Sequence, residues 1–171
     1  MDIDTDGDID IMQASSANIV WYENMGDGNL GNEQIITGGS DVFVSIHTAD
    51  LNSDGNMDIL YTNDEHTTIL WCLNQGNGNF ANPQIAVTTI PVFLPFMGLF
   101  YSIDAGDFDG DGDIDILQNS GSNDYVNDLI WYANDGLNNF GEANVVMRNV
   151  ELDNIGTFDI VTGKQIGRAH V

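Results

Sequence analysis

Three short runs concentrate oxygen-bearing side chains at alternate positions. They are Asp2-Ile-Asp-Thr-Asp-Gly-Asp-Ile-Asp10, Asp50-Leu-Asn-Ser-Asp-Gly-Asn-Met-Asp58 and Asp107-Phe-Asp-Gly-Asp-Gly-Asp-Ile-Asp115. A hard divalent cation takes six to eight oxygens, and a chain supplies them when alternate residues turn inward around one centre. Positions one, three, five and nine would do this through side chains, and position seven through its backbone carbonyl. The first loop would then use Asp2, Asp4, Asp6 and Asp10 with the carbonyl of Asp8. The second would use Asp50, Asn52, Asp54 and Asp58 with the carbonyl of Asn56, and the third Asp107, Asp109, Asp111 and Asp115 with that of Asp113. Glycine at position six (Gly7, Gly55, Gly112) permits the sharp turn that a Cβ would resist.

Two carboxylates about 4 Å apart repel by roughly 4 kcal/mol at an effective dielectric near 20, so such a cluster calls for a counter-charge. Oxygen-only ligands disfavour zinc and copper, and the ligand number favours Ca²⁺ over Mg²⁺, giving an expectation of three calcium sites. The competing reading is that Asp, Asn and Gly are ordinary turn formers. One copy would leave that reading standing, whereas three copies in one phase argue against it. An EF-hand is excluded, because it needs Glu at loop position twelve and a following helix. That position holds Gln13, Tyr61 and Gln118. A fourth, degenerate loop spans Glu151 to Asp159, with Ile155 in place of an inward oxygen, and reads as a structural turn.

The elements that must position these loops also repeat. Each loop is followed by an apolar pair and then by a second shared block. That block reads Ile19-Val-Trp-Tyr-Glu-Asn24, Ile69-Leu-Trp-Cys-Leu-Asn74 and Leu129-Ile-Trp-Tyr-Ala-Asn134. A Gly/Asn turn leads on to Leu30, Phe80 or Phe140. A period of about 50 residues is that of stacked β-units. Repeats fall at approximately 1–40, 41–90 and 98–145, with a partial one at 146–163. In the second, strands are predicted over Asp41–Ala49, Asp58–Asn63, Thr67–Asn74 and Phe80–Thr88, and no stretch carries a helical period. Trp21, Trp71 and Trp131 share one phase and read as packing between units; Cys72 stands where Tyr22 and Tyr132 stand and reads as a strand packing position.

Composition sets the outer bounds. Among 171 residues, 42% are hydrophobic, enough for a core, while 27 Asp and Glu against three Lys and Arg give a net charge of −24. Such a surface repels phosphate backbones and excludes nucleic acid as a partner. No apolar run is long enough for a membrane-spanning helix, and the single cysteine forms no intrachain disulfide.

The Asp-x-Asp-x-Asp-Gly-x-x-Asp loop, the Ile-Val-Trp-Tyr-Glu-Asn strand and the turn at Gly26 to Asn29 resemble the FG-GAP and VCBS repeat family, whose calcium-loop blades also build the propeller heads of integrin α-subunits. The resemblance covers roughly residues 1 to 161. It implies an all-β fold, a partial β-propeller of about three four-stranded blades plus part of a fourth, from a parent ring of about seven. It also implies calcium between the first and second strands of a blade. Met1 stands where Ala49 and Gly106 stand in the other copies, so the chain reads as a fragment. Residues 164–171 end in Ile166-Gly-Arg-Ala-His-Val171, which reads like a translated sequencing adapter and is set aside.

The functional expectation is a calcium-binding, non-catalytic extracellular or cell-surface module for adhesion or recognition of a protein or glycan. The alternative is an accessory or propeller region of a secreted hydrolase or lyase whose catalytic part lies elsewhere. His47 and His66 accompany no nucleophile motif such as Gly-x-Ser-x-Gly, which weighs against catalysis here. The apolar insertion Ile90 to Phe100 has no counterpart in the other repeats and is a candidate partner contact or a surface packed on a neighbouring unit.

Overall fold

β-branched and aromatic runs separated by Gly/Asn/Asp turns fold into three antiparallel sheets, one per repeat. The computed structural model describes residues 1–15, 17–39, 43–63, 68–88, 102–121 and 126–151. The insertion Ile90 to Phe100, His66, the rest of the fourth loop beyond Glu151 and the segment 164–171 lie outside the described residues. The first sheet holds β1 (Ile11–Ala14), β2 (Asn18–Tyr22) and β3 (Gln34–Gly38) in that order. The second holds β4 (Phe43–Ala49), β5 (Asp58–Asn63), β6 (Thr68–Cys72) and β7 (Gln84–Thr88) as a simple meander. The third repeats it with β8 (Ser102–Gly106), β9 (Asp115–Gly121), β10 (Val126–Tyr132) and β11 (Asn144–Glu151). No helix occurs among the described residues, and none there is long and apolar enough to cross a membrane.

Among the described residues the first sheet has three strands where four are expected, β6 ends at Cys72 rather than Asn74, and two further boundaries differ from the sequence expectation. The last strand of the second repeat begins at Gln84 rather than Phe80, and Asn74 and Phe80 meet only through an isolated bridge. At that interruption the Asn74 N–H donates to the Asp58 carboxylate instead of a ladder, and Pro83 has no N–H to donate. In the third repeat, β11 runs on to Glu151, across the boundary read at 145.

The period of two along each strand buries the middle sheet on both faces. Ile59, Tyr61 and Cys72 join Ile19 of the first sheet in one apolar cluster. Leu60, Ile69 and Trp71 join Ile103, Ala105, Ile116 and Tyr132 of the third sheet in another. Cys72 and Tyr132 thus each face the preceding sheet, consistent with the packing position read for Cys72. Trp21 and Trp71 are buried, whereas Trp131 in the last described sheet is half-buried. Trp21 lies so close to the Gly76–Asn79 turn of the second sheet that a Cβ on Gly78 would sit 2.2 Å from its ring. A register shift recurs at one repeat position, between Ile19 and Val20, Ile69 and Leu70, and Leu129 and Ile130. Such bulges increase local twist.

Candidate metal centre

The acidic loops occupy equivalent places. The second joins β4 to β5, the third joins β8 to β9, and the first leads into β1. Each is closed by hydrogen bonds from its own backbone. The position-six N–H donates to the first carboxylate: Gly7 to Asp2 Oδ2 at 3.0 Å, Gly55 to Asp50 Oδ2 at 2.9 Å and Gly112 to Asp107 Oδ2 at 3.2 Å. The position-five N–H donates to the side chain at three, from Asp6 to Asp4, Asp54 to Asn52 and Asp111 to Asp109. The position-seven N–H donates to the carboxylate at five, from Asp8 to Asp6, Asn56 to Asp54 and Asp113 to Asp111. The glycine at six holds φ of +101°, +90° and +99°, backbone that residues with a Cβ rarely adopt.

Position nine serves a purpose beyond that expected from the sequence. Asp10, Asp58 and Asp115 are buried at 5%, 0% and 0% exposure, and both oxygens of each accept backbone N–H groups. One oxygen takes the position-two N–H, from Ile3 at 2.7 Å, Leu51 at 3.0 Å and Phe108 at 2.9 Å. The other takes the N–H of the asparagine that ends the tryptophan block, Asn24, Asn74 or Asn134, each at 2.8 Å. This carboxylate therefore pins the loop to the strand behind it, and each oxygen keeps a lone pair for a cation. The ligand spacing of the loops does not include these three asparagines. Their identical phase at the end of the shared block is the signal that marks them.

At position seven, the side chains of Asp8 and Asp113 lie against the following Gly/Asn turn. A Cβ on Gly26 or Gly136 would come within 2.6 or 2.7 Å of their Oδ2 atoms. Asn56 lies less close to Gly76, at 3.8 Å. The side chains of Asp8 and Asp113 are turned to the hairpin, which leaves the backbone carbonyl as the group each could offer its loop, whereas the Asn56 amide stays bonded within its loop, to Asp54.

Carboxylate oxygens of Asp2, Asp4 and Asp6 lie within 4.8 Å of one another, as do those of Asp107, Asp109 and Asp115. Asp10 and Asp111 are not in these trios. In the second loop Asn52 and Asn56 replace two carboxylates, and their amides donate to Asp54 at 3.0 and 2.9 Å. The charges respond accordingly. Burial raises Asp4 above the usual carboxylate range, and Asp6, Asp10 and Asp2 add to the effect against a hydrogen bond from the Asp6 N–H. Asp109 is raised in the same way by burial and by Asp111 and Asp115. Burial pushes Asp58 up to about 6, against the lowering effect of the Asn74 and Leu51 N–H groups. Asp54 is lowered, first by the Asn56 N–H.

The residues present fit a hard cation. Every inward donor is an oxygen, two loops crowd carboxylates, and Asp2 Oδ1 is buried without a hydrogen-bond partner among the described residues. His47 lies apart from the loops on β4, with Nε2 3.2 Å from Oδ1 of Asp104 on β8, and so links the second and third sheets.

Comparison with known proteins bears on the fold and on the repeat. No curated protein gives a significant match. Among solved structures, the chain is similar to a lectin of Agrocybe aegerita described as specifically recognising non-reducing terminal N-acetylglucosamine, with a TM-score of 0.53 and 16% identity. The alignment covers 86% of this chain, which spans about half of the lectin chain, 50%. At that identity the likeness speaks for the fold alone. The sequence profile of the FG-GAP-like repeat matches residues 2–61 and again 50–118, each match containing two of the acidic loops or their flanking strands. With more than half the chain matched and the loops built to one pattern, this protein belongs to the FG-GAP-like repeat family.

Proposed function

We propose that the three sheets are successive blades of a β-propeller, stabilised by calcium in the acidic loops, and that the module recognises a glycan or protein outside the cell without catalysing a reaction. The observation that carries the reading is the buried, partnerless Asp2 Oδ1 inside a cage whose hydrogen bonds recur in all three loops. A buried acceptor without a donor costs about 1–3 kcal/mol, and more for a charged group, which a bound cation would offset. Extracellular calcium, near millimolar, would keep even weak loops loaded. The side chains expected to hold it are those at positions one, three, five and nine, with the carbonyls of Asp8, Asn56 and Asp113.

Recognition is supported by family and fold, and the lectin supplies a ligand class to try first. Two measurements test the parts separately. The melting midpoint should rise on adding calcium and fall with chelator, by an amount set by RT ln(1 + [L]/Kd). An unchanged midpoint would remove calcium from the proposal. Binding should then be sought on an array of glycans, including ones ending in N-acetylglucosamine, with the calcium-loaded protein. Absence of glycan binding, together with capture of a protein ligand, would select the other recognition class.

A further inference from the structure

The asparagine that closes each tryptophan block reaches beyond its own sheet. Asn74 is fully buried, and its Nδ2 donates to the carbonyl of Ile3, in the acidic loop of the preceding repeat, at 2.7 Å. Asn134 is 3% exposed and donates to the carbonyl of Leu51, the same loop position one repeat later, at 3.2 Å. Each amide also donates to its own loop, to Met57 at 3.4 Å and to Ile114 at 3.0 Å. Among the described residues the Asn24 Nδ2 donates only to its own loop, to Ile9 at 3.1 Å, while its Oδ1 accepts the Gly26 N–H.

These bonds complete a continuous chain through all three loops. The Ile3 N–H holds Asp10, and the Ile3 carbonyl receives Asn74. The Asn74 N–H holds Asp58, which also holds the Leu51 N–H; the Leu51 carbonyl receives Asn134, whose N–H holds Asp115. Each asparagine is thus fixed at its backbone by the ninth-position carboxylate of one loop and at its side chain by the second residue of the loop before. Resting on the calcium reading above, we propose that Asn74 and Asn134 are positioning residues that couple neighbouring loops, so that ordering one loop raises the cation affinity of the loop preceding it. Whatever fixes Asp58 fixes Asn74, and through Ile3 the placement of Asp10. Because these groups are buried, a small displacement at one end is not absorbed by water.

Hydrogen exchange of the full chain, read on peptides across residues 1–10 during a calcium titration, tests the coupling. Emptying the second loop with Asp54→Ala should raise the calcium concentration needed to protect residues 1–10 by about fivefold or more, a typical coupling. In an Asn74→Ala background the same change should leave that concentration unaltered. Asn24→Ala, which removes bonds only within its own repeat, to the Ile9 carbonyl and from the Gly26 N–H, should keep the cross-effect at the next junction. Should Asn74→Ala fail to fold, the parallel pair Asn134→Ala and Asp111→Ala, read on residues 50–58, tests the same claim. Equal effects of Asp54→Ala with and without Asn74, or no cross-effect at all, would overturn coupling while calcium protection persists. Calcium that protected no loop would overturn the cation reading itself.

Discussion

At the residue scale, one carboxylate in each acidic loop, Asp10, Asp58 or Asp115, ties the loop to the asparagine that ends the tryptophan block. What spacing could not reveal is which atoms are already committed. The spacing marks Asp10, Asp58 and Asp115 as candidate ligands, and the structure shows them as buried pins whose oxygens each hold a backbone N–H. The asparagines' shared phase is visible in the sequence, but their bonds to Ile3 and Leu51 span 71 and 83 residues, distances over which no local pattern operates. A pH dependence follows from Asp58. Its folded pKa, pushed to about 6, lies above the ordinary 3.8, so the folded state holds the proton more tightly. That contribution is complete below about pH 4 and is lost as pH rises through 6, so the metal-free protein should gain stability on acidification from pH 7 to 5. Calcium should compete with the proton and flatten the trend. Thermal melts in chelator across this range check the sign, and a midpoint that falls on acidification would contradict it.

At the element scale, strand positions followed from β-branched and aromatic runs, and the shared tryptophan phase correctly implied packing between units. Strand ends were less legible. A ladder stops where a carboxylate takes its N–H, as at Asn74, and the competing acceptor lies 16 residues away. Sequence also treats the three tryptophans alike, whereas their surroundings differ. Trp71 is 4% exposed between two sheets, and Trp131 is half-buried on the last one described. Trp71→Ala should therefore cost about 3–5 kcal/mol in urea unfolding, and Trp131→Ala clearly less. Equal losses would mean that Trp131 is covered in solution by a surface outside the described residues.

At the scale of the whole molecule, the repeat period foretold a stack of like sheets, and the family match and the three sheets agree with it. The stitches between sheets were not foretold. His47 to Asp104 and the Ile103 N–H to Ser45 Oγ join strands that no turn connects. Charge also acts on the whole. With a net −24, self-repulsion opposes compaction unless ions screen it. Raising sodium chloride from about 20 to about 200 mM should lift the chelated protein's melting midpoint more than that of the calcium-loaded protein, since screening shortens the reach of charges left uncompensated. A larger rise in the loaded form would count against calcium as the neutralising ion. The contact between Trp21 and Gly78 gives the first joint an optical gauge. An indole pressed on a neighbouring turn emits from a dry setting, and parting the first two sheets would wet it and shift its fluorescence to the red before the strands themselves dissolve. With Trp71 and Trp131 replaced by Phe, opening of this joint can be watched separately from melting of the rest.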